Sequence, residues 1–359
     1  MNLLFGIIPS PYRMDFYKVL HERVACRFYF RDKSSGDVAF DLEEVRRSCP
    51  FPVGHYHAGW GLGSLLRLHR IIREEKPGVV FVSEFSVTTL QVLLLRRFSR
   101  FSFKVVSICD DSPDMIQGRD FSRLHRMARR IVPRLVDDLI LANPASLAWY
   151  REHFGKGRYM PIIQDGDRLR KEYEAALPMA AELRRKQGLD TRPVVLFVGR
   201  LIPLKNLDRL LEAMKGFSAT AVFVGDGPLR DTLEAKARAL GVSTLFVGRK
   251  EGRELSAWYD IADVLALPSL QEAFGAVTGE ALSAGCPVVV SERAGSAFLV
   301  KEGESGSVVD PLDTAALADA LRFWTEKAAA GRPLQLRDDL LPVRFDTLFK
   351  TLAHELLHP

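Results

Sequence analysis

Two glutamates lie in a segment rich in small and apolar residues in the second half of the chain. Glu272 and Glu280 flank residues 274–276 in the sequence PSLQEAFGAVTGEALSAGCPVVVS, which runs from residue 268 to residue 291. Strand-compatible residues precede Glu272, and the following residues suit a helix that ends at Gly285, which places both carboxylates on roughly the same side. Free backbone N–H groups at a helix start favour phosphate or sugar oxygens. The spacing predicts a site for a polyol and a diphosphate, with an ordinary crossover carrying two solvated glutamates as the alternative.

Two cations follow a predicted buried strand earlier in the same half. Residues 193–213 read PVVLFVGRLIPLKNLDRLLEA, which is a strand, then Arg200, a loop with Lys205, and an amphipathic helix. Open α/β sheets bind ligands at the C-terminal edge of their strands, where these cations would lie. A planar guanidinium and an ammonium point charge suit a diphosphate without a metal ion. The alternative is a pair of surface cations that flank a helix start.

Strand and helix patterns alternate through most of the chain, which predicts an α/β protein with parallel sheets. The first half offers the strands NLLFGII, CRFYFR, GVVFVS, KVVSIC and DLILAN. Residues 159–178 are interpreted as a short strand and turn before an uncommitted polar stretch, and a new strand pattern begins near Arg192. We therefore predict one lobe over residues 1–165, a second over 166–335, and an amphipathic C-terminal helix within 336–359.

Four segments of the second half resemble, in order, the donor domain of retaining glycosyltransferases of the sucrose-synthase-like family four. They are GRLIPLKNLDRLLEA, VFVGDGPLRDTLEAKARALG, LFVGRK and the segment with the two glutamates, and the resemblance runs from about Val194 to Ala320. It implies the GT-B fold, in which two Rossmann-like lobes have parallel sheets facing a central cleft and a C-terminal helix packs back on the first lobe. It also implies a metal-independent hexosyltransferase that retains anomeric configuration.

The resemblance assigns roles to residues position by position. Arg200 and Lys205 would contact the donor diphosphate, Glu280 would hold the ribose, and Glu272 would face the transferred sugar. A UDP- or GDP-sugar is implied as the donor substrate, with no cofactor and no metal. The predicted catalytic residues are Arg200, Lys205, Glu272 and, on the acceptor side, Asp110. The predicted donor-binding residues are Gly199, Arg200, Lys205, Asp226, Gly227, Arg249, Glu272, Phe274, Gly275, Ala276 and Glu280.

The acceptor side departs from the family pattern in two places. Relatives commonly offer a histidine in this part of the first lobe, whereas this chain has Cys109-Asp110-Asp111 at the end of the strand KVVSIC. The usual glycine pair after the first strand is replaced by Pro9-Ser10-Pro11-Tyr12-Arg13. We expect these residues to shape an acceptor site, and the acceptor-side catalytic group stays open. The predicted acceptor-side residues are Pro9, Tyr12, Arg13, Asp110 and Asp111.

The excess of positive charge lies in the predicted first lobe. Residues 1–165 hold 25 Lys+Arg and 18 Asp+Glu, a net charge of +7, whereas the remainder holds 25 and 27, a net charge of −2. A basic amphipathic helix surface is typical of contact with an anionic leaflet or a lipid-diphosphate acceptor, and its alternative is a solvated helix face. The residues predicted to face the membrane recur at helical spacing: Arg123, Arg126, Arg130 and Arg134.

Other motifs exclude several classes of binding site. Residues 225–230 lack the third glycine of a dinucleotide site, and Asp165-Gly166-Asp167 is interpreted as a turn and not as a metal site. No nucleic-acid motif accompanies the basic residues. The four cysteines show no metal-binding spacing, which favours reduced, mostly buried thiols. We expect a cytoplasmic protein, peripheral on the inner face of the plasma membrane, that uses a glycan or lipid-linked acceptor in cell-envelope polysaccharide or lipopolysaccharide synthesis. The alternatives are an inactive nucleotide-sugar-binding or assembly partner, a nucleotide-sugar epimerase and, least fitting, a phosphorylase.

Overall fold

The computed structural model describes residues 1–7, 9–31, 47, 49–57, 59–117, 123–328 and 334–357. The chain divides into two compact units, of which the first contains residues 1–164 and 346–359 and the second contains residues 165–345. Residues 336–345, which we predicted together with the C-terminal helix, therefore lie in the second unit. The physical reason is Arg337, whose guanidinium donates hydrogen bonds to the carbonyls of Tyr259 and Ala262 at 2.6 and 2.9 Å.

The first unit is built on a parallel sheet. Its described strands are β1 (Asn2–Gly6), β2 (Cys26–Arg31), β3 (Val53–Tyr56), β4 (Val79–Ser83), β5 (Lys104–Cys109), β6 (Asp138–Leu141) and β7 (Arg158–Tyr159). They pair in the order β3-β2-β1-β4-β5-β6-β7. Their runs of buried Val, Ile, Leu and Phe are typical of strands covered on both faces. All five strands predicted for this half are present, with β3 and β7 added beside them.

Helices cover both faces of this sheet. They are α1 (Met14–Val24), α2 (Leu62–Glu75), α3 (Val87–Phe98), α4 (Pro113–Gln117), α5 (Arg123–Leu135) and α6 (Pro144–Phe154). Leu68 of α2, Val92 of α3, Val132 of α5 and Tyr150 of α6 belong to one buried cluster with the strands, so these four helices share a face. A short 3-10 turn over Pro11–Arg13 leads into α1.

The second unit has its own parallel sheet. The strands are β8 (Val194–Val198), β9 (Thr220–Val224), β10 (Ser243–Gly248), β11 (Val264–Leu267), β12 (Val288–Ser291) and β13 (Gly306–Val309), in the order β10-β9-β8-β11-β12-β13. The helices are α7 (Gly166–Lys186), α8 (Leu207–Ala213), α9 (Arg230–Leu240), α10 (Gly252–Ile261), α11 (Ala276–Ser283) and α12 (Thr314–Lys327). Short 3-10 turns span Pro203–Lys205 and Ala297–Leu299. The predicted α/β class with parallel sheets is confirmed.

The segment that we interpreted as a turn and an uncommitted polar stretch is the long helix α7. Asp165 is its N-cap, because the Asp165 carboxylate accepts hydrogen bonds from the backbone N–H groups of Asp167 and Arg168 at 3.0 and 3.2 Å. The turn residues thus begin a helix, and Pro178 lies within it. The sequence pattern missed this helix because turn-forming residues and an internal proline both argue locally against one.

The last helix, α13 (Phe345–Leu357), belongs almost entirely to the first unit. Phe349 packs edge-on against Phe16 of α1, with ring centroids 6.0 Å apart. Glu355 accepts a hydrogen bond from Arg158 at 2.9 Å. None of the helices in the described part of the chain combines the length and hydropathy that a membrane-spanning helix needs.

Strand order reverses once in each sheet, between β1 and β4 and between β8 and β11. At such a reversal the loops from neighbouring strands leave toward opposite faces, so a crevice opens at the C-terminal edge of the sheet. The predicted acceptor-side residues follow β1 and β5 in the first unit, and most of the predicted donor-binding residues follow β8 and β11 in the second. The two reversals therefore define two places to search for a site.

Candidate functional site

The first candidate lies at the β8–β11 reversal, and we call it the β8–β11 site: Gly199, Arg200 and Lys205 after β8, and residues 272–280 after β11. Lys205 donates a hydrogen bond to the carboxylate of Glu272, and each of these side chains is 16% exposed. Their two loops are tied together, because Asn206 Nδ2 donates to the carbonyl of Pro268 at 3.1 Å. Arg200 lies exposed on the same loop. Three of the predicted catalytic residues are therefore grouped within one site.

Glycines allow the loops after β8 and β9 to approach each other. Gly225 has φ +139°, and a Cβ placed there would lie 1.9 Å from the carbonyl oxygen of Gly199. A Cβ on Gly227 would lie 2.5 Å from the carbonyl oxygen of Leu201. Only glycine fits such close backbone contacts. The backbone N–H of Leu201 donates to the carbonyl of Asp226 at 2.9 Å, so Asp226 and Gly227 lie beside the Arg200 loop.

The start of α11 is supported by a loop that the sequence analysis did not include. Gly275 is its N-cap with φ +89°, and the preceding Phe274 is buried. The N–H groups of Gly295 and Ser296, in the loop after β12, donate to the carbonyls of Glu272 and Phe274 at 3.1 and 2.8 Å. The signal that indicates this loop is the small-residue run Ala-Gly-Ser shortly after the strand VVVS.

Glu280 is oriented by two tyrosines that the sequence analysis also missed. The hydroxyl of Tyr259 donates to Glu280 Oε2 at 2.6 Å, and the hydroxyl of Tyr173 donates to the backbone carbonyl of Glu280 at 2.9 Å. Burial and the nearby Glu280 carboxylate raise the pKa of Tyr259 well above its ordinary value. The Tyr259 hydroxyl is therefore a permanent donor, and it fixes one oxygen of Glu280.

Arg249 lies apart from this group. It follows the edge strand β10, which is separated from β8 by β9, and its guanidinium pairs with Glu251. The remaining residues lie on the loops after β8, β9 and β11 and on α11, where Lys205 contacts Glu272 and Tyr259 holds Glu280. Cations of this kind can neutralise a diphosphate, and oriented carboxylates can accept hydrogen bonds from sugar hydroxyls.

The second candidate lies at the β1–β4 reversal, and we call it the β1–β4 cavity. It has a volume of about 210 Å³, and its charged lining residues are Arg13 after β1, Glu84 after β4 and Asp110 after β5. The other polar residues that line it are Ser10, Tyr12, Tyr17 and Ser83. Arg13 and Asp110 form an ion pair in which the side chains are 11% and 28% exposed. Pro9 is buried in the same loop but is not among the residues that line the cavity.

Asp111 does not line this cavity. Both of its carboxylate oxygens accept hydrogen bonds from Arg129 of α5 at 2.7 Å, and one also accepts from the Tyr150 hydroxyl at 2.7 Å. Asp111 and Arg129 are 3% and 4% exposed. A charge pair this deeply buried needs all of its partners, because an isolated buried charge is strongly destabilising. This burial favours a structural role for Asp111 over the predicted contact with an acceptor.

Glu84 is the charged cavity residue that the sequence analysis missed. It follows the strand VVFVS directly, and that position at the reversal is the signal that could have found it. Burial, together with the charge of Asp110, raises the pKa of Glu84 to about 7. Near neutral pH this carboxyl group therefore changes its charge, whereas an ordinary glutamate would stay ionised.

The basic helix predicted from the sequence is α5. Arg126, Arg130 and Arg134 are exposed on it, whereas the Arg123 side chain lies outside the described residues. Large apolar side chains share this outer face: Met127, Ile131 and Leu135 are 53%, 46% and 47% exposed. The exposed face thus alternates guanidinium groups with apolar side chains.

We predict that Glu84→Gln alters the pH dependence of stability. Folding raises the pKa of Glu84 from 4.5 to about 7, so the protonated carboxyl group stabilises the folded wild type. This stabilisation is fully present below pH 4.5 and is lost as the pH rises through 7. The loss amounts to about 3 kcal/mol at full ionisation. Glutamine cannot ionise, so the variant should not lose this stability. Its free energy of unfolding relative to the wild type should therefore rise by that amount between pH 4.5 and pH 8. Urea unfolding across this range measures it, with the exposed Glu74→Gln as control, and parallel curves would contradict the shift.

Comparison with known proteins shows what this chain is similar to. Residues 179–338 match the profile of the family described as glycosyl transferases group 1. A GDP-mannose-dependent alpha-(1-6)-phosphatidylinositol monomannoside mannosyltransferase from Mycobacterium tuberculosis is 34% identical over 177 residues, which is 45% of this chain and 45% of that protein. A D-rhamnosyltransferase from Pseudomonas aeruginosa is 28% identical over 76% of this chain and 64% of its own length. The chain thus spans less than half the length of the first of these relatives.

The fold of the whole chain is that of known structures. The Anabaena protein HepE, solved in complex with UDP, superposes over 100% of both chains with a TM-score of 0.81 and 17% sequence identity. At that identity the likeness establishes the fold, and the predicted GT-B class is confirmed. The profile match confirms the resemblance to glycosyltransferases over residues 179–338, and the sucrose-synthase-like subgroup and the retention of configuration stay predictions.

Proposed function

We propose that this protein is a glycosyltransferase that moves a hexose from a nucleotide sugar to a hydroxyl group of a glycan or lipid-linked acceptor. The observation that carries the proposal is the β8–β11 site, where Lys205 meets Glu272 and Tyr259 orients Glu280 at the reversal of the sheet. The profile match over the same residues supports it. The nucleotide is UDP or GDP: HepE is solved with UDP, and the mycobacterial relative is named for GDP-mannose.

The proposed chemistry follows from the charges in the site. As the bond between the anomeric carbon and the diphosphate breaks, negative charge develops on the leaving phosphate. Arg200 and Lys205 stabilise that negative charge, and these two cations take the place of a metal ion. Glu280 accepts hydrogen bonds from the ribose, and Glu272 orients the sugar hydroxyls. In a retaining reaction the acceptor attacks from the face that the phosphate leaves, and the phosphate takes the acceptor proton.

Lys205 and Glu272 form an ion pair, and this contact affects how the proposed donor would bind. An incoming diphosphate offers Lys205 a second and stronger anionic partner. Glu272 then loses part of its interaction with the ammonium group and becomes available to sugar hydroxyls. Binding of the phosphates and binding of the sugar are coupled through this one ion pair.

The nucleotide assignment predicts stabilisation by one nucleotide class. Either UDP or GDP, at about 100 times its dissociation constant, should add about 2.7 kcal/mol to the free energy of unfolding, because it binds only the folded protein. ADP is the comparison nucleotide. The thermal shift should be lost in Glu280→Ala and kept in the control Glu182→Ala, which changes an exposed glutamate on α7. If no nucleotide raises the melting temperature of the folded wild type, the transferase assignment fails and a scaffold role replaces it. A shift without sugar release to water or acceptor favours the inactive binding partner.

The role of Lys205 predicts a loss of rate. Lys205→Ala should lower the turnover of the identified nucleotide sugar by about 100-fold or more, because a preorganised charge on the leaving group is removed. Release of nucleoside diphosphate is the readout. Lys215→Ala, which changes an exposed lysine just after α8, is the matched control. Equal rates for Lys205→Ala and the control would remove Lys205 from the mechanism.

We propose that the outer face of α5 contacts an anionic membrane surface on the cytoplasmic side. Each arginine near such a surface contributes about 1 kcal/mol, and the apolar side chains between them add to binding. Combined reversal of Arg126, Arg130 and Arg134 to Glu should weaken sedimentation with phosphatidylserine vesicles by at least about tenfold. Reversal of the exposed Arg185 and Lys186 on α7 is the control. Equal sedimentation of the wild type with anionic and zwitterionic vesicles would contradict this contact.

A further inference from the structure

The β1–β4 cavity is enclosed by loops that end three adjacent strands of the first sheet. Tyr12 and Arg13 reach it from the loop after β1, Glu84 from the end of β4 and Asp110 from the end of β5. Leu4 and Ile108 provide apolar walls. A crevice at a strand-order reversal, with a few polar groups converging on apolar walls, is the usual form of a small-ligand site.

The charges in this cavity indicate the class of its ligand. Arg13 is already paired with Asp110, so its positive charge is compensated inside the cavity. Glu84 adds a second carboxyl group, and the set carries no net positive charge in either protonation state of Glu84. Such a site has no net attraction for phosphates or carboxylates, and it repels them when Glu84 is ionised. It suits an uncharged polyol, whose hydroxyl groups donate to carboxylates and accept from Arg13 or Tyr12.

Glu84 is held in a backbone conformation that side chains rarely adopt. Its φ is +50°, and the other described non-glycine residues with positive φ, Ala25, Lys76 and Asn206, all lie at helix ends. Three hydrogen bonds fix the Glu84 backbone. Its N–H donates to the carbonyl of Ile108 at 2.8 Å, and its carbonyl accepts from the hydroxyls of Thr89 and Ser107 at 2.9 Å each. A strained backbone conformation that several hydrogen bonds hold in place is typical of functional positions.

The backbone of Glu84 is satisfied, but its side chain is not. Within the described part of the chain, no residue donates a hydrogen bond to the Glu84 carboxylate, although the residue is partly buried. The carboxyl group therefore faces the cavity with its hydrogen-bonding capacity unused. The ionisable groups that influence it come from the loop after β1, from the end of β5 and from α5: Arg13, Asp110, Asp111 and Arg129.

We propose that the β1–β4 cavity binds an uncharged ring polyol, and that Glu84 accepts the hydrogen bond of one of its hydroxyl groups. This rests on the proposed function in one respect, since the polyol is then the sugar or cyclitol end of the acceptor. An ionised carboxylate accepts a stronger hydrogen bond than a protonated one. Polyol affinity therefore rises as the pH increases through the titration of Glu84.

The test uses the full chain and two probes, methyl α-D-mannopyranoside and myo-inositol, with binding measured by ligand-observed NMR. Glu84→Gln keeps the shape of the side chain but cannot ionise. It should weaken binding of at least one probe by about tenfold or more, because a charge-assisted hydrogen bond is lost. The wild-type dissociation constant should fall between pH 6 and pH 8, and the variant should show no such change. Glu74→Gln, an exposed glutamate on α2, should behave as wild type.

The outcomes separate this inference from the proposed function. Unchanged probe binding in Glu84→Gln, or no binding of either probe to the wild type, would overturn the inference. Nucleotide stabilisation measured on the same preparations would still stand in that case, and so would the transferase assignment. Probe binding that depends on Glu84 in a protein that no nucleotide stabilises would support the polyol site and sink the transferase assignment.

Discussion

The reversal of strand order in each sheet is the constraint on which both sites depend. Parallel strands send their C-terminal loops to a common edge, and at a reversal neighbouring loops diverge and leave room for a ligand. In the second unit the reversal sets Lys205 after β8 beside Glu272 after β11. In the first unit it sets Arg13 and Asp110 beside Glu84. The helices and cores serve to hold these loop residues in fixed positions.

The two sites use similar side chains in different combinations. At the β8–β11 site Arg200 and Lys205 supply two cations, and a neighbouring carboxylate of Glu272 keeps Lys205 partly neutralised until an anion arrives. In the β1–β4 cavity the single cation, Arg13, is compensated by Asp110. Arg200 and Lys205 can therefore contact a diphosphate together, whereas the cavity offers an anion only Arg13, which already shares its charge with Asp110.

Local sequence patterns could predict the residues that lie directly after a strand. They could not predict residues whose positions depend on contacts with distant parts of the chain. Strand runs followed by Gly-Arg or by Glu-x7-Glu predicted that Arg200, Lys205, Glu272 and Glu280 follow two strands, and they follow β8 and β11. Their roles stay predictions. Tyr259 and Ser296 escaped notice because their roles come from other elements. Asp110 and Asp111 are adjacent carboxylates that sequence cannot distinguish, yet successive residues at a strand end point to opposite sides. One therefore reaches the cavity and the other is buried against Arg129.

The conformation of Glu84 has a consequence for any attempt to make this protein more heat-resistant. A positive φ favours glycine or asparagine, and a partly buried carboxyl group favours a neutral side chain, so stability alone would select against glutamate at this position. Proteins commonly lose function when such sites are optimised for stability. A library screened only for survival at high temperature would enrich replacements of Glu84. Under the proposed function, directed evolution of this scaffold therefore needs a selection that includes an acceptor from the first round.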